Sequence, residues 1–340
     1  HADWCALDCV PWPERHRTMD ERERVLAALG GRPVDRVPLA LWRHYHRQSQ
    51  TAEGLARATV AFYRQYHPDL LVCRPSPFYL AEAWGADVRT YSDDALSPYM
   101  AHPLVARPTD WRALPEIDAP NSSLQREIDA LRQIRAELGL GVPLILPIDS
   151  PLTTANLLCN GRIVADLRSF ANDVRSGLAL IASETRAFAR LCLDAGADGY
   201  LYVKTLAGES VLRAREHRDV EPFDLDILDA LAPSAIRILY LSGKRPRLEL
   251  ADRYPVQAVC WETWRADSSI AAARRRMRRG VMGGINPATL VEGGVEDVRA
   301  QVRSALDQSE GWHIVLAPTG PLPARARNDL IAVMHREIRA

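Results

Sequence analysis

The sequence has no surplus of either charge: 43 Lys and Arg balance 43 Asp and Glu over 340 residues. Nucleic acids and anionic membrane surfaces select for a basic excess, so neither is expected as a partner. No apolar run approaches the roughly 18–20 residues that span a bilayer. There is no C-x-x-C pair. Cys5, Cys9, Cys73, Cys159, Cys192 and Cys260 are scattered, which reads as reduced thiols in a cytoplasmic protein. Cys5 and Cys9 have His16 nearby, a spacing open to metal binding but also to incidental thiols in an extension over residues 1–19. That segment lacks the charged start and apolar stretch of a secretory signal, and Met19 would serve as an alternative start. Internal repeats and low-complexity tracts are absent too, which argues against a solenoid or a linker-rich chain.

What is present is ordinary globular composition, 47% hydrophobic and 25% charged. Eight short apolar runs stand out, at 37–42, 70–73, 144–148, 199–203, 236–241, 258–261, 281–285 and 314–317. They lack polar alternation, as strands buried on both faces do. Between them, residues 21–29, 55–66, 124–138, 163–193, 269–279 and 295–306 show apolar spacing of helical period. Asp20 or Thr18 would cap the first helix. The prolines at 108, 115 and 120 make 107–121 a loop, and the Arg-rich stretch 207–223 reads as irregular, either a lid or a solvated loop. Strands alternating with helices predict an α/β protein, a (β/α)8 TIM barrel filling residues 20–340 as one domain.

In such barrels the chemistry lies at the C-terminal strand ends. After the first run comes Arg43-His44-Tyr45-His46-Arg47; Arg43 and Arg47 would share a face if the segment were helical, and would clamp a carboxylate. Arg74 and Ser76 follow the second run, and Asp149 the third, where it either serves the site or caps the next helix. Lys204 and Thr205 end the fourth. A desolvated lysine there acts as a base or imine former, unless it pairs with Glu262 or Asp149. Tyr240, Glu262 and Thr319 end the fifth, sixth and eighth runs.

At several of these places the chain resembles the uroporphyrinogen decarboxylase superfamily. Residues 23–38 read ERVLAALGGRPVDRVP, close to the opening of those decarboxylases and of their corrinoid-linked methyltransferase relatives. RHYHR at 43–47 falls where decarboxylases carry RQAGR, and GGINP at 283–287 where they carry GNLDP. Gly196-Ala197-Asp198 and Pro143-Leu144-Ile145 also match, so the likeness runs from about Met19 to the C-terminus. The resemblance implies a distorted barrel, often a homodimer, that works without a cofactor in its decarboxylase branch. Paired arginines there hold the acidic arms of a porphyrinogen, and by position these are Arg43 and Arg47. The aspartate that contacts the pyrrole nitrogens is replaced by Ser76. The family tyrosine aligns near Leu157, the serine becomes Thr205, and the histidine of the last strand becomes Thr319. The zinc-binding His-x-Cys and Cys of the methyltransferase branch become Tyr240, Ser242 and Thr319, poor zinc ligands.

The sequence therefore points to a cofactor-independent lyase, a decarboxylase of an anionic small molecule other than uroporphyrinogen. Lys204, His44 and Asp149 are its candidate catalytic groups. Arg43, Arg47, His46, Arg74, Ser76, Thr205, Tyr240, Glu262 and Thr319 are candidate substrate contacts, and no metal or cofactor is expected. Three other readings stay open: a methyl or one-carbon transferase, a metal hydrolase built on His44-x-His46, and a non-catalytic anion-binding barrel.

Overall fold

Each of the eight apolar runs contributes one strand to a parallel sheet that curls into a nearly closed barrel. In the computed structural model, which describes residues 18–93, 95–118, 122–231 and 234–339, the strands are Ala40–Leu41, Leu70–Val72, Leu144–Asp149, Gly199–Lys204, Ile236–Leu241, Ala258–Cys260, Gly280–Ile285 and Ile314–Pro318. They pair in chain order. Closure comes from parallel bridges between Leu39 and Leu316 and between Arg43 and Leu322. Two backbone bonds reinforce this seam, from Leu316 N–H to Pro38 O at 2.8 Å and from Leu322 N–H to Trp42 O at 2.7 Å.

Successive side chains of a strand point to opposite faces, and the packing shows which face is which. Trp42, Val72, Ile145, Val203, Ile238, Cys260 and Ala317 pack together inside the barrel. Leu41, Cys73, Ile148, Tyr202, Leu239, Trp261 and Leu316 pack against the surrounding helices. Extending the alternation to the C-terminal rim puts His44, Arg74, Asp149, Thr205, Tyr240, Glu262 and Thr319 on the inward register. Arg43 and Lys204 fall on the outward one.

The opposite end is plugged. Helix Glu21–Leu29 starts at Asp20, whose Oδ1 accepts from Glu23 N–H at 2.7 Å, as expected of a cap. Its Val25, Ala28 and Leu29 join the interior cluster. Charges fix it there: Arg24 bonds Asp35 at 2.7 Å and Asp69 at 2.6 Å, Arg36 bonds Asp69 at 2.6 Å, and Arg22 bonds Asp198 at 2.7 Å. Asp69 and Asp198 stand just before the second and fourth strands, and Asp69 also accepts from Leu39 N–H at 2.9 Å.

The stretch 207–223, expected to be irregular, instead enters helix Ala214–Ala230. The helix buries His217, Val220, Glu221, Asp224, Ile227 and Leu228, a stripe of helical period that is half polar, and it holds Pro222 within its length. A buried ion pair from Asp224 to Lys204, and a pair from Glu221 to the half-exposed Arg253, make that stripe tolerable. The long pattern 163–193 divides at Phe170 into helices Ile163–Ser169 and Ala171–Asp194. The pattern 269–279 yields only Ile270–Arg274, and helix Asn328–Glu337 was not anticipated. Of 107–121, the described part is loop with a short 3-10 turn at Pro108–Arg112; Pro120 and Asn121 lie outside the described residues, as do Cys5, Cys9 and His16. No helix among the described residues is long and apolar enough to cross a membrane.

Asp69 is almost fully buried between two guanidinium groups, so Asp69→Ala leaves buried positive charge uncompensated. Urea denaturation of this variant should show a loss of roughly 3–5 kcal/mol, with the barrel's far-UV dichroism retained at low urea. An unchanged midpoint would show that the plug does not depend on this carboxylate.

Candidate active site at the open end of the barrel

Arg74 is the charge around which the mouth is organised. It continues the inward register of Leu70 and Val72, and Pro75 and Pro77 hold the turn that follows. Its Nε is buried without a hydrogen-bond partner, and it enters no ion pair with a described residue. Its positive field reaches residues from four strand ends: His44, Tyr79, Asp149 and Tyr240. Arg74 is half-buried, with its Nε facing no partner, at the centre of the mouth.

Asp149 ends the third strand with 4% of its surface exposed. It is not a helix cap: Ser150 caps helix Pro151–Leu158, accepting from Thr153 N–H at 3.2 Å. Asp149 Oδ1 therefore stays buried and unpartnered. Burial raises the Asp149 pKa and Arg74 opposes the rise, with the net shift upward. Beside it lies the Tyr79 phenol, buried against the Asp149 backbone and kept protonated by burial, then by the charge of Asp149. A closed cavity with room for about one water borders Asp149 and Tyr79. Burial, then the charges of Arg74 and His46, push His44 well below its ordinary pKa, so its imidazole is neutral. Its ring stacks on that of His46, with centroids 5.0 Å apart.

Across the mouth, hydroxyls are tied to one another. Tyr240 donates to Thr319 O at 3.3 Å, spanning from the fifth strand to the end of the eighth. Thr319 Oγ1 accepts from Trp264 Nε1 at 3.0 Å. Burial, then the neighbouring Cys260, raises the Tyr240 pKa, so the phenol stays a donor. Glu262 acts on Tyr240 electrostatically and lies 3.6 Å from Arg265. Thr205 is exposed at the rim, its hydroxyl 3.3 Å from that of Thr153.

Other expected site residues are placed elsewhere. Lys204 pairs with Asp224, not with Glu262 or Asp149; Asp224 also accepts from Tyr202 at 2.7 Å and Tyr254 at 2.6 Å. The amine is thus held between the fourth strand and helix Ala214–Ala230, outside the mouth. Arg43 sits in an extended bridge, so it shares no helical face with Arg47. Its Nε and Nη2 are buried without partners, and its charge is felt by Tyr45 in the strand–helix layer. Arg47 is exposed and donates to Ser92 O at 3.3 Å. Ser76 is buried, donating to Glu82 at 2.8 Å and accepting from Phe78 N–H at 3.2 Å, which commits its hydroxyl to the turn. Tyr79 was missed by sequence reasoning; its only signal was its place five residues beyond Arg74 in the same strand-end turn.

The model of the family named uroporphyrinogen decarboxylase (URO-D) matches residues 20–339. The chain belongs to the uroporphyrinogen decarboxylase family. A uroporphyrinogen decarboxylase of Tolumonas auensis is 25% identical over 324 residues, 86% of this chain and 88% of its own. A methylcobamide:CoM methyltransferase, MtaA, of Methanosarcina barkeri is 23% identical over 317 residues, 87% of this chain and 91% of its own. Among solved structures, a methyltransferase from Methanosarcina mazei superposes with a TM-score of 0.79 at 19% identity, covering 94% of this chain and 98% of that one. That likeness bears on the fold. Tyr240, Ser242 and Thr319, which the resemblance would put at the zinc positions of the methyltransferase branch, offer only hydroxyls, and the phenol and the threonine hydroxyl are already bonded. Neutral hydroxyls do not fit zinc, and the described residues contain no group of three His, Cys, Asp or Glu able to hold a metal.

Two measurements follow. Lys204→Met should lower stability by roughly 3–5 kcal/mol by stranding Asp224, and Lys204→Met/Asp224→Asn should recover part of the loss; carboxylate binding at the mouth should be unchanged in both. Loss of binding with unchanged stability would return Lys204 to the site. Elemental analysis of the purified protein should find no stoichiometric zinc.

Proposed function

We propose that this family member is a cofactor-independent decarboxylase of a small carboxylated molecule other than uroporphyrinogen. The observation that carries the reading is the placement, on one inward rim, of Arg74, whose Nε has no partner, near Asp149, whose Oδ1 is buried and unpartnered. Arg74 receives the substrate carboxylate. A bound anion beside Asp149 raises its pKa further, since like charges in a dry site cannot both be held. Asp149 is then the neutral acid that the reaction needs. The carbon–carboxylate bond breaks, carbon dioxide leaves, and the electron pair stays on the former α-carbon. That carbon takes the Asp149 proton, and water reprotonates the carboxylate. The substrate supplies its own electron sink. Tyr79, protonated, donates a hydrogen bond to the developing charge, while the Tyr240 hydroxyl stays committed to Thr319 O. His44, held neutral, orients the substrate without competing for its carboxylate.

Ser76 argues against uroporphyrinogen itself, because a hydroxyl already bonded to Glu82 cannot replace an ionised acceptor for pyrrole N–H groups. One-carbon transfer is favoured by the comparable likeness to the methyltransferase of M. barkeri. It would require activation of a thiol acceptor that the hydroxyl set at the mouth does not offer.

Arg74→Ala should abolish carboxylate binding, and Asp149→Asn should retain binding while lowering turnover at least about 100-fold. Because the acid form of Asp149 is the active one, kcat/KM should be high below its raised pKa and fall as pH rises through it. A rate that instead rises across that interval would exclude Asp149 as the proton donor. Uroporphyrinogen should give no coproporphyrinogen. Binding of carboxylates without release of carbon dioxide from any of them would leave an anion-binding barrel.

A further inference from the structure

Above the seam where the first and eighth strands close the barrel lies a cavity of about 420 Å³. Its lining includes His44, His46, Leu96, Pro321, Leu322 and Pro323. Asp93, Ser97 and Arg325 add polar groups to an otherwise flat or apolar lining. Leu96 leaves 48% of its surface uncovered although it is a large aliphatic side chain on a loop. The one lysine or arginine in the lining, Arg325, is well exposed and lies 3.4 Å from the Asp93 carboxylate. His44 belongs to both places: it faces inward toward Arg74, and it lines this cavity.

We infer that this cavity holds the flat apolar body of an aryl monocarboxylate whose carboxylate rests on Arg74, with His44 as the shared wall. The inference rests on the carboxylate-binding reading of Arg74 above and narrows it to a substrate class. The volume lies in the range of pockets that enclose small organic ligands and suits a one- or two-ring body. The stacked imidazoles give an aromatic ring a parallel surface, and burial keeps the nearer one uncharged. A polycarboxylate would need several free cations along the walls, whereas the arginine here has an aspartate beside it. Leu96, left half in water, is the side chain that such a ring would cover.

Isothermal titration of the full chain with propanoate, 2-naphthylacetate and citrate tests this. Naphthylacetate should bind at least about tenfold more tightly than propanoate or citrate. Leu96→Glu should remove that advantage and leave propanoate affinity in place, with Leu96→Ala intermediate; thermal melts confirm that both variants fold. Equal affinity for naphthylacetate and propanoate, a preference for citrate, or a Leu96→Glu variant that still favours naphthylacetate each overturns the inference. Arg74→Ala separates the two claims. If it leaves naphthylacetate binding intact while Leu96→Glu destroys it, the carboxylate anchor fails and the apolar pocket stands. If naphthylacetate binds no better than propanoate while Arg74→Ala abolishes both, the anchor stands and the pocket fails.

Discussion

Side-chain parity around a closed ring of strands decides everything that reaches the mouth. A strand slipped by one residue would send Arg74 into the helix layer and bring Cys73 to the rim. The register is held because both faces are apolar and filled: Val72 is committed to the interior and Leu71 to the helices. The same rule sorts the lysine from the aspartate. Lys204 follows Tyr202 outward, and Asp149 follows Ile145 inward. Two ionisable groups on adjacent strand ends thus have opposite fates, one tied into the helix layer and the other facing the mouth.

The fold was legible because its signals were strong and local. Most strands are largely apolar runs bounded by turns, and Asp20 caps the first helix in the ordinary way. Helix Ala214–Ala230 was hidden because its buried stripe carries His217, Glu221 and Asp224, which read as solvent-facing until their partners are known. Those partners, Lys204 and Arg253, come from other elements, so no local pattern shows them. The site was legible by position and not by contact. Sequence reasoning placed Arg74 and Asp149 at strand ends, yet it favoured Arg43, whose place is set by an extended bridge to Leu322, and Lys204, whose partner lies twenty residues on. It missed Tyr79 because a phenol beside a proline turn resembles any core aromatic.

The mouth of this barrel is lined by hydroxyls as well as by charge. Tyr240, Thr319 and Trp264 form a neutral chain of hydrogen bonds across one side of the mouth. The opposite side carries the cation, the buried acid and the uncharged imidazole. Arg74 and Glu262 both face the mouth, so its charge is not confined to one side. A site built around several anions would need several cations.

The plugged floor has a consequence for how such a protein changes. The ion pairs that lock helix Glu21–Leu29 lie at the end of the barrel remote from the mouth. Distant groups of this kind contribute to stability almost additively. Residues at the rim can therefore be exchanged without loosening the anchor beneath them. The barrel behaves as a cup with a riveted base, whose lip can be recut for a new ligand while the vessel keeps its shape.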